Sequence, residues 1–241
     1  MRRRYLSTTH MSTMTANATL TLDFVSDIAC PWCAVGLAAL EKAIDSVSDE
    51  LDVALHFQPF ELNPGMQAGG EDIIEHLTRK YQITPAQVEQ NQQHLYQRGA
   101  DAGFEFTPGA RKRIYNTFDA HRLLHWAAET AGADAQHRLK RSLLKAYFTD
   151  GLDPSDPAVL RDAAMAAGLD GTQAAAILAG ADYAEAVRER EQFYLQQGIN
   201  SVPSVIVNGR YLVQGGQPAE VFAQALRQIA SEAASGAGEG A

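Results

Sequence analysis

Strand-like alternation of apolar and polar residues is confined to the two ends of this 241-residue sequence, and the long middle carries none of it. Residues 19–26, from Thr19 to Ser26, alternate and read as a strand. Behind them Val35, Leu37, Leu40, Ala43, Ile44 and Val47 recur at helical spacing, with Glu41, Lys42 and Asp45 left to face water. Residues 52–58 alternate again, and Pro59 with Asn63-Pro64-Gly65 closes that run. The opening is therefore strand, helix, strand, the unit from which parallel sheets are built. After Gly198 the strand signal returns in residues 204–207 and 210–214 on either side of Asn208-Gly209. An Asn-Gly pair between two such runs predicts a tight hairpin, because both central turn residues need positive φ. Gln217-Pro218 then opens a helix carrying Val221, Phe222, Ala225, Leu226 and Ile229, with fraying expected from Ser231 onward.

Between these ends, over residues 71–197, Ala, Leu, Gln, Glu and Arg predominate and predict a series of helices. Breaks are expected near residues 83–85, 101–103, 107–109, 131–133, 150–154 and 167–169, and at Gly180. Thr84 before Pro85 and Ser155 before Asp156-Pro157 are the expected N-terminal caps. No apolar run approaches the roughly 18 to 20 residues of a membrane span. Met1-Arg2-Arg3-Arg4 looks like the start of an export signal, but the Ser/Thr-rich residues after it lack the apolar stretch export needs. A cytoplasmic protein is expected, with Met11 and Met14 as alternative starts. The net charge of −9 argues against nucleic acid or an anionic membrane surface as partner, since both would repel the chain.

The two cysteines of the chain, Cys30 and Cys33, are separated only by Pro31 and Trp32 and sit where the first strand runs into the first helix. A structural disulfide closing so short a loop would constrain the unfolded chain little. A zinc site needs further soft ligands, and the seven histidines are scattered, so no metal is expected. A redox dithiol is the leading reading, beside a pair of inert buried thiols. At the helix start Cys30 meets unpaired N–H groups and the positive end of the helix dipole, which favour its thiolate. Cys33, one turn in, is expected to be more buried and less reactive. Pro31 suits the first turn, and Trp32 is expected to lie exposed beside the sulfurs as an apolar surface for substrates, the alternative being a core tryptophan. His121 and His125, four apart, read as a structural pair, and Asp150, Asp153 and Asp156 do not fit a calcium loop. Tyr81, Tyr96, Tyr115 and Tyr147 are expected to pack, and Asn116 and His121 to line the cleft between the helical block and the sheet.

A strand-helix-strand unit, a helical block and a strand-strand-helix unit form the arrangement of the DsbA family. The segment Phe24-Val25-Ser26-Asp27-Ile28-Ala29-Cys30-Pro31-Trp32-Cys33, together with residues 198–218, resembles its FrnE-like cytoplasmic branch over residues 20–230. The resemblance implies an α/β thioredoxin fold, βαβ plus ββα around one mixed sheet, with a large all-α insertion. Residues 1–18 are then a disordered extension, 19–66 and 198–232 the two halves of the thioredoxin fold, 67–197 the helical insertion and 233–241 a flexible tail. It further implies a protein disulfide oxidoreductase with Cys30 as attacking nucleophile and Cys33 as resolving thiol. Pro203 would be the proline in cis that lies against the cysteines, and Val202 the residue whose main chain pairs with a substrate. For the buried acid common in this superfamily, Asp23 and Asp27 lie either side of the expected position. The strand position suits Asp23, a solvated loop is expected for Asp27, and neither is assigned. No cofactor is implied beyond the Cys30–Cys33 disulfide, with glutathione left open as co-substrate. The implied partners are thiol or disulfide proteins or glutathione, and a homodimer is compatible. A reducing compartment favours a reductase or isomerase direction. The rival reading is a glutathione-dependent enzyme related to the kappa-class transferases and 2-hydroxychromene-2-carboxylate isomerases. Those enzymes place serine where Cys30 stands, and serine cannot exchange disulfides. A third is a binding or chaperone module whose cysteines sense oxidation.

Overall fold

In the computed structural model, which describes residues 17–236, the chain opens with β1 (Ala18–Ser26), α1 (Pro31–Ser46) and β2 (Leu51–Pro59). A second stretch follows: β3 (Glu71–Asp72), α2 (Ile73–Tyr81), α3 (Pro85–Ala102), β4 (Arg113–Ile114), α4 (Phe118–Phe148), α5 (Pro157–Ala166), α6 (Gly171–Ala179) and α7 (Ala184–Gln196). It closes with β5 (Ser204–Val207), β6 (Tyr211–Gln214) and α8 (Ala219–Gly236). The main sheet has the order β2-β1-β5-β6, with β1 parallel to β2 and antiparallel to β5. The fold is α/β, a thioredoxin fold with a mixed central sheet and a helical insertion.

β1 holds the centre because its side chains have somewhere apolar to go on both sides. Leu20, Leu22 and Phe24 enter the main core, while Val25 is buried in a second cluster with Phe60, Tyr194 and Ile199. The end of β1 is buried on both faces, at Phe24, Val25 and Ser26. The hairpin turn adopts φ 51° at Asn208 and 64° at Gly209. The Asn208 side chain also accepts from the Thr21 N–H at 2.9 Å and its own N–H donates to the Thr21 carbonyl at 2.8 Å, so the turn fastens onto β1.

Helix ends follow local chemistry. Thr84 and Gln87 form a capping box with Pro85 in the first turn, and α3 stops at Gly103, φ 86°. The expected break near residue 132 is a bend: Gly132, at φ 83°, joins two arms of α4. Three expectations need correction. The cap of α5 is Asp156, whose carboxylate accepts from the Ala158 N–H, while Ser155 is held by Asp153. The insertion contains a short antiparallel ladder, Glu71–Ile114 and Asp72–Arg113, two residues long and so beneath any periodicity signal. The final helix continues past Ser231 to Gly236, four residues into the stretch expected to be flexible. The rest of that stretch, the extension up to residue 16, and Met11 and Met14 lie outside the described residues.

The insertion closes the sheet on one side. β2 is an edge strand, and the buried Gln136 of α4 takes the place of a neighbour. Its Oε1 accepts from the Phe57 N–H at 3.0 Å and its Nε2 donates to the Phe57 carbonyl at 2.9 Å. Gln136→Leu leaves both buried groups unpaired and is expected to lower the unfolding free energy by roughly 2–4 kcal/mol, read from a urea titration.

Candidate active site

Cys30 is the N-cap residue of α1, in extended conformation, and Pro31 fills the first turn where a missing N–H costs nothing. The Cys33 N–H donates to the Cys30 carbonyl at 3.1 Å. Both cysteines are free thiols and both are buried, yet only Cys30 reaches the wall of an open groove. Across from Cys30 stands the loop before β5, with the Val202–Pro203 peptide in cis. The Cys30 thiol donates to the Val202 carbonyl at a sulfur–oxygen distance of 3.7 Å. The approach of that loop to α1 relies on Gly36, where a Cβ would stand 3.0 Å from Pro203 Cγ.

The two sulfurs are electrostatically unequal. The Cys33 thiol bonds to the Cys30 sulfur, and this, with the N–H groups of Cys33 and Trp32, holds Cys30 below the ordinary thiol range against the opposing effects of burial and the Asp27 charge. Burial first, then the neighbouring Cys30, pushes Cys33 well above it. This is the division expected of a thiol at a helix N-terminus and one a turn further in.

Beneath the pair lies Asp27, fully buried. Its Oδ1 accepts from the Ala29 N–H at 3.0 Å and the Thr117 hydroxyl at 2.7 Å, and its Oδ2 from the Leu62 N–H at 2.7 Å. His121 Nε2 stands 3.6 Å from Oδ1, beyond hydrogen-bond length. Burial alone would raise the Asp27 pKa, but His121 and these donors outweigh it and keep the carboxyl ionised below the ordinary aspartate range. The expectation of a solvated Asp27 is thus overturned. Asp23 is only half-buried and accepts from the Gln58 side chain at 2.6 Å. His121 and His125 do not act as a pair either: His121 is buried beside Asp27, and His125 Nε2 lies 3.0 Å from Glu129.

The groove at Cys30 has a volume of about 730 Å³ and runs between the cysteine loop and α2 and α3 of the insertion. Trp32, 37 % exposed, forms part of its wall with its ring centroid 6.0 Å from that of His94. Tyr81, Lys80 and Arg111 contribute from the insertion. Arg111 also donates to the Ala29 carbonyl at 3.0 Å and to the Tyr147 hydroxyl at 2.9 Å, tying the insertion to the residue before Cys30. Tyr147 is core, as expected, whereas Tyr81 is exposed in the groove. Asn116 donates to Glu61 at 3.3 Å. Arg111 and the buried Lys140 carry no motif. Lys140 left one trace, a lysine among Gln136, Leu139, Leu143 and Leu144 on the apolar stripe of α4.

Residues 21–227 match the family model described as the DSBA-like thioredoxin domain. The chain is 36% identical to a probable DsbA oxidoreductase from Streptomyces coelicolor, whose crystal structure superposes with a TM-score of 0.79 over 87% of this chain and 89% of that one. It is 26% identical to the uncharacterized protein YwbO of Bacillus subtilis over 86% of this chain and 96% of that protein. A 2-hydroxychromene-2-carboxylate isomerase structure shares the fold, with a TM-score of 0.63 at 14% identity over 89% of this chain and 98% of that one.

Proposed function

The chain belongs to the DSBA-like thioredoxin family, and from that premise we propose that it is a thiol–disulfide oxidoreductase exchanging disulfides with protein or small thiol substrates through Cys30 and Cys33. The observation that carries this reading is the inequality of the two sulfurs, one held toward thiolate at the groove wall and the other buried and protonated behind it. In the reducing direction the Cys30 thiolate attacks one sulfur of a substrate disulfide and expels the other as a thiolate. Cys33, having lost its proton, then attacks the Cys30 sulfur, forms the Cys30–Cys33 disulfide and releases the second substrate thiolate. The electrons come from the dithiol itself, so the pair serves as the only redox group the reaction requires.

Substrate contacts come from Pro31, Trp32, Val202 and Pro203. Once Cys30 ionises it no longer donates to the Val202 carbonyl, which is then free to accept from the backbone of an extended substrate segment. Trp32 and Tyr81 offer apolar surface to the residues flanking a substrate sulfur, and Lys80 and Arg111 give the groove a cationic side within an acidic protein. No helix among the described residues is long and apolar enough to cross a membrane. A cytoplasmic site of action, reducing and favouring the dithiol, fits a reductase or isomerase direction. The rival reading as a 2-hydroxychromene-2-carboxylate isomerase draws on fold likeness alone, and a cysteine at position 30 gives disulfide exchange a nucleophile that a serine does not.

Equilibration with mixtures of reduced and oxidised glutathione, followed by Trp32 fluorescence, is expected to give one reversible two-electron transition. Retained glutathione binding without any such transition would overturn the exchange reading in favour of a transferase or isomerase.

A further inference from the structure

The groove at Cys30 differs in charge from the chain that forms it. The sequence holds 29 Asp and Glu against 20 Lys and Arg, yet among the described residues no acid lines the groove, where Lys80 and Arg111 both stand. The carboxylates bonded to its walls are taken up by other partners. Glu71 Oε2 meets His76 Nδ1 at 2.7 Å and the Arg79 guanidinium, and the buried Asp27 serves Ala29, Leu62 and Thr117 beneath the cysteines. Both cations of the groove are fixed, and by neutral groups. Lys80 Nζ donates to the Leu62 carbonyl at 3.0 Å and to Asn63 Oδ1 at 2.8 Å. Arg111 donates through Nη2 to the Ala29 carbonyl at 3.0 Å and through Nε to the Tyr147 hydroxyl at 2.9 Å. Its guanidinium carbon also lies 5.3 Å from the ring centres of both Tyr147 and Phe148. An ammonium has three N–H groups and a guanidinium five. One on Lys80 and both on Arg111 Nη1 are thus left without an acceptor among the described residues.

Both charges are anchored to the segments that frame the nucleophile. Arg111 holds the residue before Cys30, and Lys80 holds Leu62, whose N–H binds the Asp27 beneath it. On the cysteine side of the groove the Val202 carbonyl meets the Cys30 sulfur. An extended segment paired there has the helical insertion, with Lys80, Tyr81 and Arg111, as the opposite wall. We propose that this groove selects disulfides in extended peptide segments that carry an acidic residue beside the cysteine, the carboxylate being received by Lys80 and Arg111. The inference rests on the exchange reading above and names its substrate class. Chemically the step is the attack already described, and the added carboxylate binds without reacting. A guanidinium already clamped in place has little freedom left to lose when a planar carboxylate docks on it. Complementary charge of this kind favours encounter with the right partner and disfavours cationic ones. The helical insertion therefore supplies the selectivity for chemistry whose sulfurs belong to the thioredoxin half.

The test is single-turnover reduction, by the reduced protein, of short peptides whose one cysteine is joined by a disulfide to 2-mercaptoethanol and preceded by Glu, Gln or Lys. Oxidised glutathione and its carboxyl ester are run beside them as small disulfides. Thiol release is followed by mass spectrometry, and each rate is divided by that of the same disulfide with dithiothreitol, which removes the substrate's own reactivity. The Glu peptide is expected to react at least about fivefold faster than the Gln peptide, and the Lys peptide slowest, with the differences fading in roughly 1 M sodium chloride. Lys80 is exposed, so its variants are expected to fold. Lys80→Gln should lower the Glu-to-Gln ratio by about threefold, Lys80→Arg should keep it, and Lys80→Glu should abolish it. Arg111→Gln, checked for folding by circular dichroism, should lower it as well. Equal reduction of the three peptides by the wild type, or a ratio untouched by the Lys80 variants, overturns the selection and leaves the dithiol reading intact. A charge preference confined to oxidised glutathione over its ester overturns the assignment to peptide segments. A wild type that reduces neither the peptides nor glutathione overturns both readings.

Discussion

Cys30→Ser is expected to reduce disulfide exchange to the uncatalysed background, whereas Cys33→Ser stops the reaction halfway. The two outcomes differ because the two sulfurs do. Cys30 alone lines the groove and is held toward its thiolate by the Cys33 thiol and the N–H groups of the first turn, so removing it removes the attacking atom. Cys33 is sealed behind it with a raised pKa, so its loss leaves the first attack possible and removes the resolution. The Cys33→Ser protein should therefore accumulate a stoichiometric adduct with oxidised glutathione, visible by intact mass and released by added dithiothreitol. The Cys30→Ser protein should show none. Equal adduct formation by the two variants would reverse the assignment of nucleophile and resolving thiol.

The second large effect is structural and is expected at Asp27. The carboxylate gathers the Ala29 N–H, the Leu62 N–H and the Thr117 hydroxyl, fastening the start of α1, the chain after β2 and the insertion to one buried charge. Asp27→Asn keeps one oxygen but turns an amide N–H2 toward one of these donors. A loss of about 3–5 kcal/mol is expected in chemical denaturation, as for a broken buried ionic contact. The pH dependence has a definite sign. The folded-state pKa of Asp27 is depressed, so its contribution is fully present above the unfolded aspartate pKa, near pH 4, and is lost as pH falls through the lower folded value. Acid unfolding should accordingly be shallower in the variant than in the wild type below pH 4. Because the Asp27 charge opposes ionisation of Cys30, the same variant should also alkylate with iodoacetamide at lower pH.

What the sequence disclosed and what it withheld divide along the distance over which each feature is decided. The alternation of residues 19–26 and 52–58, the Asn208-Gly209 turn and the N-terminal cap at Thr84 are settled by neighbours a few positions away, and each emerges where it was expected. The placement of the CPWC segment at a helix start follows from the same local signals, as does the exposure of Trp32. The state of Asp27 was not legible, because it is set by Leu62 and Thr117, 35 and 90 positions further along the chain. A loop aspartate without those donors would sit in water, as the local sequence suggested. His121 and Lys140 were hidden for the same reason: a histidine or lysine on a helix face reveals its neighbours only when the helix has docked. The apolar stripe of α4 was nonetheless a legible clue to the burial of Lys140, since a lysine inside such a stripe is carried into the core with it.

The amide of Gln136 has a meaning beyond the energy it contributes to folding. By taking both main-chain groups of Phe57 it imitates, with one side chain, the strand that would otherwise be next in the sheet. An unpaired edge at this point is a template on which another chain can grow, and the exchange proposed above would bring extended, partly unfolded chains to the protein. Capped in this way, that stretch of β2 offers such visitors no ladder to join. On the proposed reading their pairing falls instead to the loop at Val202, whose carbonyl faces Cys30.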